Sequence, residues 1–184
     1  MELTETQFWE DYWKGCQLPS EVNPGIGFDR CFAKALTHHL KGVTGEVFEV
    51  GCAPGKWLAF MAKTFNMQPS GIEYSKAGIE ATRKNLDLLG LPAESLMTGD
   101  FFAAEPQPRF DVVMSFGFIE HFDDPDAVVA RHAAWLKPGG RLVLGVPNFN
   151  GIYHPLQKIL DSSILDKHNL KTMRLDYFKG LEER

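Results

Sequence analysis

The chain has 184 residues, 44% hydrophobic and 23% charged, with a formal net charge of −5, values that suit one soluble globular domain with a sizeable core. That acidic balance offers no basic footprint for nucleic acid or an anionic membrane, and the start MELTETQFWE lacks the apolar stretch of a signal peptide. Cys16, Cys31 and Cys52 form no CxxC pair, so no disulfide framework and no metal site is expected, and a cytoplasmic, reducing location fits.

In chain order, ETQFWEDYWKG places Phe8, Trp9, Tyr12 and Trp13 on one helical face. Such a stripe packs on the domain or closes over a ligand, and the two roles are compatible. NPGIGF (23–28) reads as a turn. Residues 28–41 read as a helix, with His38 and His39 near its C-terminal end, where positive charge is favoured. Residues 1–44 thus form an N-terminal helical cap on a main domain of residues 45–184, together one compact unit.

From residue 45 strands and helices alternate. GEVFEVG (45–51) is a predicted strand, followed by helical spacing of Trp57, Phe60, Met61, Thr64 and Phe65. SGIEYS (70–75) is a second strand, and Ser75 caps a helix that runs to the Gly90–Leu91–Pro92 stop. ESLMTGD (94–100) is a third strand. FDVVMSFG (110–117) is apolar enough for a strand covered on both faces. Asp123–Asp124–Pro125 opens a helix that KPGG (137–140) stops, and RLVLGVP (141–147) is the fifth strand. This alternation predicts an α/β fold with a doubly wound parallel sheet, its ligand beyond the carboxyl ends of the strands.

At that edge lies GCAPGKW (51–57). A phosphate-binding P-loop needs one more residue between its glycines and a hydroxyl after the Lys, where Trp57 stands. A dinucleotide loop needs G-x-G-x-x-G, and Gly51, Ala53 and Gly55 match it only in part, which disfavours a nicotinamide oxidoreductase. The spacing Glu49-x-Gly51-x-Ala53-x-Gly55 instead resembles the first motif of class I S-adenosylmethionine-dependent methyltransferases, with Ala53 in place of the usual middle Gly. A cofactor without phosphates needs bare backbone more than it needs anion-binding N–H groups.

The resemblance covers residues 45–150. It implies a Rossmann-like sheet and S-adenosylmethionine as cofactor. It also implies a set of cofactor-binding residues: Glu49, Gly51, Cys52, Ala53 and Gly55 in the loop, then Glu73 and Tyr74, Asp100 and Phe101, and Ser115 and Phe116. Glu73, 22 residues beyond Gly51, would accept the ribose hydroxyls. Asp100 would accept the adenine amino group beside the N–H of Phe101, and the backbone of Ser115 and Phe116 would meet the methionine part. LKPGGRLVL (136–144) matches the family's turn into its fifth strand. The N-terminal aromatic stripe and IEHFDDP (119–125) resemble small-molecule members, including quinone-biosynthesis O-methyltransferases.

Methyl transfer needs a nucleophile held in line and water excluded, and a base where the nucleophile carries a proton. His121 and His154 are the candidate bases, each weighed against a structural role; His168 reads as structural or as a pocket wall. The fourth strand leads into SFGF, neither the Asn/Asp-Pro-Pro-Phe/Tyr of many base and glutamine methyltransferases nor a Pro-Cys nucleophile. A small-molecule acceptor follows, methylated on O, N, S or C.

The family sheet has seven strands, whereas residues 148–184 read as loop and helix. Five strands in order 3-2-1-4-5 are therefore predicted, leaving the fifth as an edge. Truncation, a partner such as a second copy in a homodimer, or a folded-back tail would account for that edge. The rival to catalysis is a truncated or non-catalytic domain that binds ligand or a partner without turnover.

Overall fold

The computed structural model describes residues 6–151, 155, 158–159, 165 and 168–182. Five parallel strands run β1 (Glu46–Val50), β2 (Gln68–Glu73), β3 (Leu96–Thr98), β4 (Phe110–Phe116) and β5 (Leu136–Gly145), in sheet order β3-β2-β1-β4-β5 as predicted. Among the described residues the α-helices with given bounds are α1 (Thr6–Lys14), α2 (Gly27–His39), α3 (Lys56–Phe65), α4 (Lys76–Leu88), α5 (Pro125–Ala133) and α6 (Leu175–Glu182). No described helix is long and apolar enough to cross a membrane.

Alternation along the central strands builds a core on each face of the sheet. Val47, Val112 and Met114 face one way, against Leu36 and Leu40 of α2, Leu58 and Met61 of α3, and Ile79 and Leu86 of α4. Phe48, Val50 and Val113 face the other way, where the Phe48 ring stacks on Trp135 at 4.4 Å. The tail folds back on that second face. Tyr177, Phe178 and Leu181 of α6 join Ile119, Val128 and Val129 over Leu142 and Leu144 of β5.

Local chemistry sets the boundaries. Ser75 caps α4 by accepting the Gly78 N–H at 3.0 Å, and Asp124 caps α5 by accepting from Ala127, with Pro125 at the first turn. β2 begins two residues earlier than predicted, at Gln68–Pro69. Pro69 is tolerated because the Gln68 N–H already reaches Gly45 on the β1 side. The Pro69 nitrogen therefore faces β3, whose pairing starts only at Gly71. β3 is shorter than predicted, as suits an edge strand. KPGG, expected to end a helix, instead lies within β5: Leu136 pairs with Phe110, then the register jumps so that Arg141 pairs with Val112. Gly139, at φ +79°, absorbs the irregularity.

Candidate active site

β1 carries Glu49 and Val50 to the sheet edge, and the chain then turns at Gly51 with φ +67°. The Gly51 and Cys52 N–H groups both donate to the Ile72 carbonyl, at 2.9 and 3.3 Å, pinning the loop to β2. A Cβ on Gly51 would stand 3.0 Å from the Phe118 ring. Gly55, at φ +84°, opens α3, and a Cβ there would meet the Thr82 methyl at 3.0 Å. The first glycine keeps the backbone bare toward the cavity; the second brings α3 against α4.

Three carboxylates surround this turn. Glu49 is 4% exposed, and its Oε2 has no hydrogen-bond partner; burial pushes its carboxyl well above the usual range, against the Leu58 N–H. Glu73 ends β2 and accepts the Ser75 N–H at 2.9 Å. Burial pushes it up to about 7, opposed by the N–H groups of Ser75, Ala53 and Tyr74. Asp100 lies two residues beyond β3, exposed, and accepts the Phe102 N–H at 2.8 Å.

These groups open into one cavity of about 930 Å³ at the carboxyl ends of the strands. Its wall is largely aromatic, with Phe28, Phe32, Trp57, Phe116, Phe118 and Phe122 in the lining. α1 adds Trp9, Tyr12 and Trp13 to the lining. Glu10 fastens this helix by accepting the Ala77 and Lys76 N–H groups at the start of α4, at 3.1 and 2.5 Å, and those donors hold its carboxyl below the usual range. The Trp9 ring meets His121 edge-on at 5.4 Å. The aromatic stripe of the sequence therefore both packs on the domain and lines the cavity. Lys56 also lines it, held at 2.7 Å by the buried Asp29. Burial opposes ionisation of Asp29, but the Asn23 N–H and the Lys56 ammonium outweigh it and keep its carboxyl low.

Of the residues picked from sequence, Glu49, Gly51, Ala53, Glu73, Tyr74, Asp100, Phe101, Phe116 and His121 line this one cavity. Cys52, Gly55 and Ser115 do not. Cys52 is buried against Gly71, and Ser115 is buried within β4. His154 lies outside the described residues. His168 is on the wall, 4.6 Å ring to ring from His121. Glu120 was missed. It is 1% exposed, lines the cavity, has no partner for either carboxylate oxygen, and is pushed up to about 7 by burial. The only sequence signal was an acid set among Phe118, Ile119 and Phe122.

The family model for a methyltransferase domain matches residues 27–179. A ubiquinone biosynthesis O-methyltransferase of Alkalilimnicola ehrlichii is 32% identical over 77% of this chain and 56% of its own length. The chain spans about half the length of the curated relatives it matches. Two solved structures share the fold. A SAM-dependent methyltransferase from Geobacter sulfurreducens, in complex with S-adenosyl-L-homocysteine, has a TM-score of 0.59 at 17% identity, over 77% of this chain and 55% of that one. Geranyl diphosphate C-methyltransferase from Streptomyces coelicolor has a TM-score of 0.69 at 14% identity, over 97% and 78%. The glycine turn, the carboxylates around it and the family match agree: this chain belongs to the S-adenosylmethionine-dependent methyltransferases.

Proposed function

We propose that the chain methylates a hydroxyl oxygen of a small, largely apolar, ring-bearing molecule. The observation that carries this reading is a single cavity joining buried Glu73, beside the glycine turn, to His121 in an aromatic wall. The relatives named as O-methyltransferases support oxygen as the methylated atom.

The residues present fit S-adenosylmethionine. Gly51 leaves the backbone bare, Glu73 and Asp100 are acceptors for ribose and adenine, and Glu49 has a buried oxygen short of a donor. When bound, the cofactor supplies a methyl group made electrophilic by its sulfonium. The chain's own residues do the rest. The aromatic wall holds the acceptor ring, and α1 excludes water. His121 receives the hydroxyl proton, a task that suits an imidazole near neutral pH. His154 is the second candidate base.

Calorimetric titration with S-adenosylhomocysteine tests the cofactor end. Glu73→Ala should weaken binding about ten- to a hundredfold, the loss of ~1.5–3 kcal/mol expected for hydrogen bonds to a charged acceptor. Labelled methyl transfer to hydroxylated aromatic compounds tests the acceptor end, where His121→Ala should lower the rate and leave S-adenosylhomocysteine affinity unchanged. Folded protein that binds no S-adenosylhomocysteine would sink the reading.

A further inference from the structure

We propose that the acceptor carries a carboxylate, and that Lys56, held by Asp29 at the aromatic wall of the cavity, binds it. This rests on the reading of that wall as the seat of the acceptor ring.

Lys56 follows the glycine turn directly, yet S-adenosylmethionine has no phosphate for it to meet. Its ammonium stands among rings instead. Nζ lies 5.1 Å from the centre of Trp57 and 5.9 Å from that of Phe28. Trp57 in turn meets Phe116 at 5.0 Å and Phe32 at 5.9 Å, so the charge borders the wall assigned to the acceptor. Among the described residues that line the cavity, Lys56 is the one Lys or Arg.

Asp29 fixes this ammonium without exhausting it. The Asp29 carboxylate is buried; Oδ2 accepts the Asn23 N–H at 2.9 Å and Oδ1 accepts from Lys56 Nζ at 2.7 Å. The pair joins α2 to the start of α3 and uses one of three ammonium donors. Among the described residues no other group accepts from Nζ. A ligand carboxylate therefore meets a long, flexible side chain already set in place. The charge count selects the anion. Phosphates and diphosphates call for several cations or the paired donors of a guanidinium, and the other charged side chains beside Lys56, Glu49 and Glu73 among them, are acidic. One ammonium fits one monoanion. A carboxylate on the acceptor ring takes the free donors of Lys56 while the ring lies against Trp57 and Phe116. The rival anion is the cofactor's own carboxylate, since Lys56 acts electrostatically on Glu49 beside the glycine turn.

Parent and Lys56→Met, each saturated with S-adenosylhomocysteine, are titrated with hydroxybenzoate and hydroxycinnamate and with the primary amides of both, followed by calorimetry. At neutral pH the acids are ionised and the amides are not. The parent should bind an acid about tenfold more tightly than its amide, and Lys56→Met should lose that preference while its S-adenosylhomocysteine affinity stays within about twofold of the parent's. Lys56→Met leaves Asp29 buried without its cation, so the double variant Asp29→Asn/Lys56→Met is measured beside it. Equal affinity of the parent for acid and amide, or binding of neither, overturns the proposal, as does an acid preference that survives the loss of Lys56. A loss confined to S-adenosylhomocysteine affinity assigns Lys56 to the cofactor and overturns it too. Labelled methyl transfer keeps this apart from the function proposed above. Transfer to the amides as fast as to the acids removes the carboxylate and leaves the methyltransferase. Acid-selective binding that needs Lys56, in protein that transfers no methyl group, would instead overturn hydroxyl methylation and leave the carboxylate site standing.

Discussion

Gly78 lies directly beneath Trp13: a Cβ on it would stand 2.9 Å from the Trp13 ring, 3.0 Å from Glu73 Cγ and 3.1 Å from the Ala53 methyl. One helical glycine thus sets how closely α1, the end of β2 and the glycine turn approach. In an exposed helix, Gly→Ala stabilises by about 0.5–1 kcal/mol. Here Gly78→Ala is expected to lose that gain and to displace Trp13 and Glu73. Weaker S-adenosylhomocysteine binding and a changed tryptophan emission spectrum are the expected results, measured by calorimetry and fluorescence. Unchanged affinity would show that α1 is not held at this distance.

Glu73 gives the protein without cofactor a stability that falls with rising pH. Burial raises its carboxyl from an ordinary 4.5 to about 7. Between those values the folded state keeps a proton that the unfolded state has lost. Its contribution is therefore fully present below pH 4.5 and is lost as pH rises through 7, by roughly 3 kcal/mol. Glu120 works in the same direction. His132, pushed down to about 4 by burial, works in the opposite one, adding stability as pH rises from 4 to 6.5. The clean measurement is the difference between Glu73→Gln and the parent in denaturant unfolding. The variant's advantage should grow from pH 5 to pH 8, while its S-adenosylhomocysteine affinity stays below the parent's. A difference that does not change with pH would remove Glu73 as the titrating group.

Phe48 is fully buried and stacks on Trp135, which is 1% exposed, in the centre of the second core. Phe48→Ala should cost about 3–5 kcal/mol, transfer loss plus the cavity left behind. Urea unfolding should show a lower midpoint at unchanged slope, and near-ultraviolet circular dichroism should lose the Trp135 contribution. A loss below about 1 kcal/mol would mean the site collapses freely.

The strands were legible because each strand's composition is written locally; their order came from the family resemblance, since composition does not say which strands are neighbours. Val47, Phe48 and Val50 announce β1, and Val112, Val113 and Met114 announce β4, without reference to anything distant. Glu73 was legible for a related reason: the length of a strand–helix–strand unit fixes where β2 ends. Glu120 was not, and for His168 the sequence offered only a choice between a structural role and a pocket wall, the second of which the cavity bears out. Nothing local tells a buried acid from a helix-starting one, and the Asn169 side-chain amide, which ties the chain beside His168 to the end of the turn bearing Glu120, spans 47 residues to the Phe122 carbonyl. Cys52, Gly55 and Ser115 differ from the other motif residues in not lining the cavity. They sit in the right motif, but pleat and turn geometry direct them into the protein rather than into the cavity. The start of β5 was misplaced because Leu136 pairs with Phe110 ahead of the glycine pair, a tertiary preference that overrides the turn signal in KPGG.

α1 bears on both ends of the cavity, with Trp13 over Gly78 beside Glu73 and Trp9 against His121. One helix thus packs on both, and its attachment at Glu10 to the start of α4 is shared by the two. Under the proposed function the consequence is kinetic: if α1 must lift to admit either ligand, the observed association rates of S-adenosylhomocysteine and of an acceptor approach one common ceiling at high concentration, and Glu10→Gln raises both together.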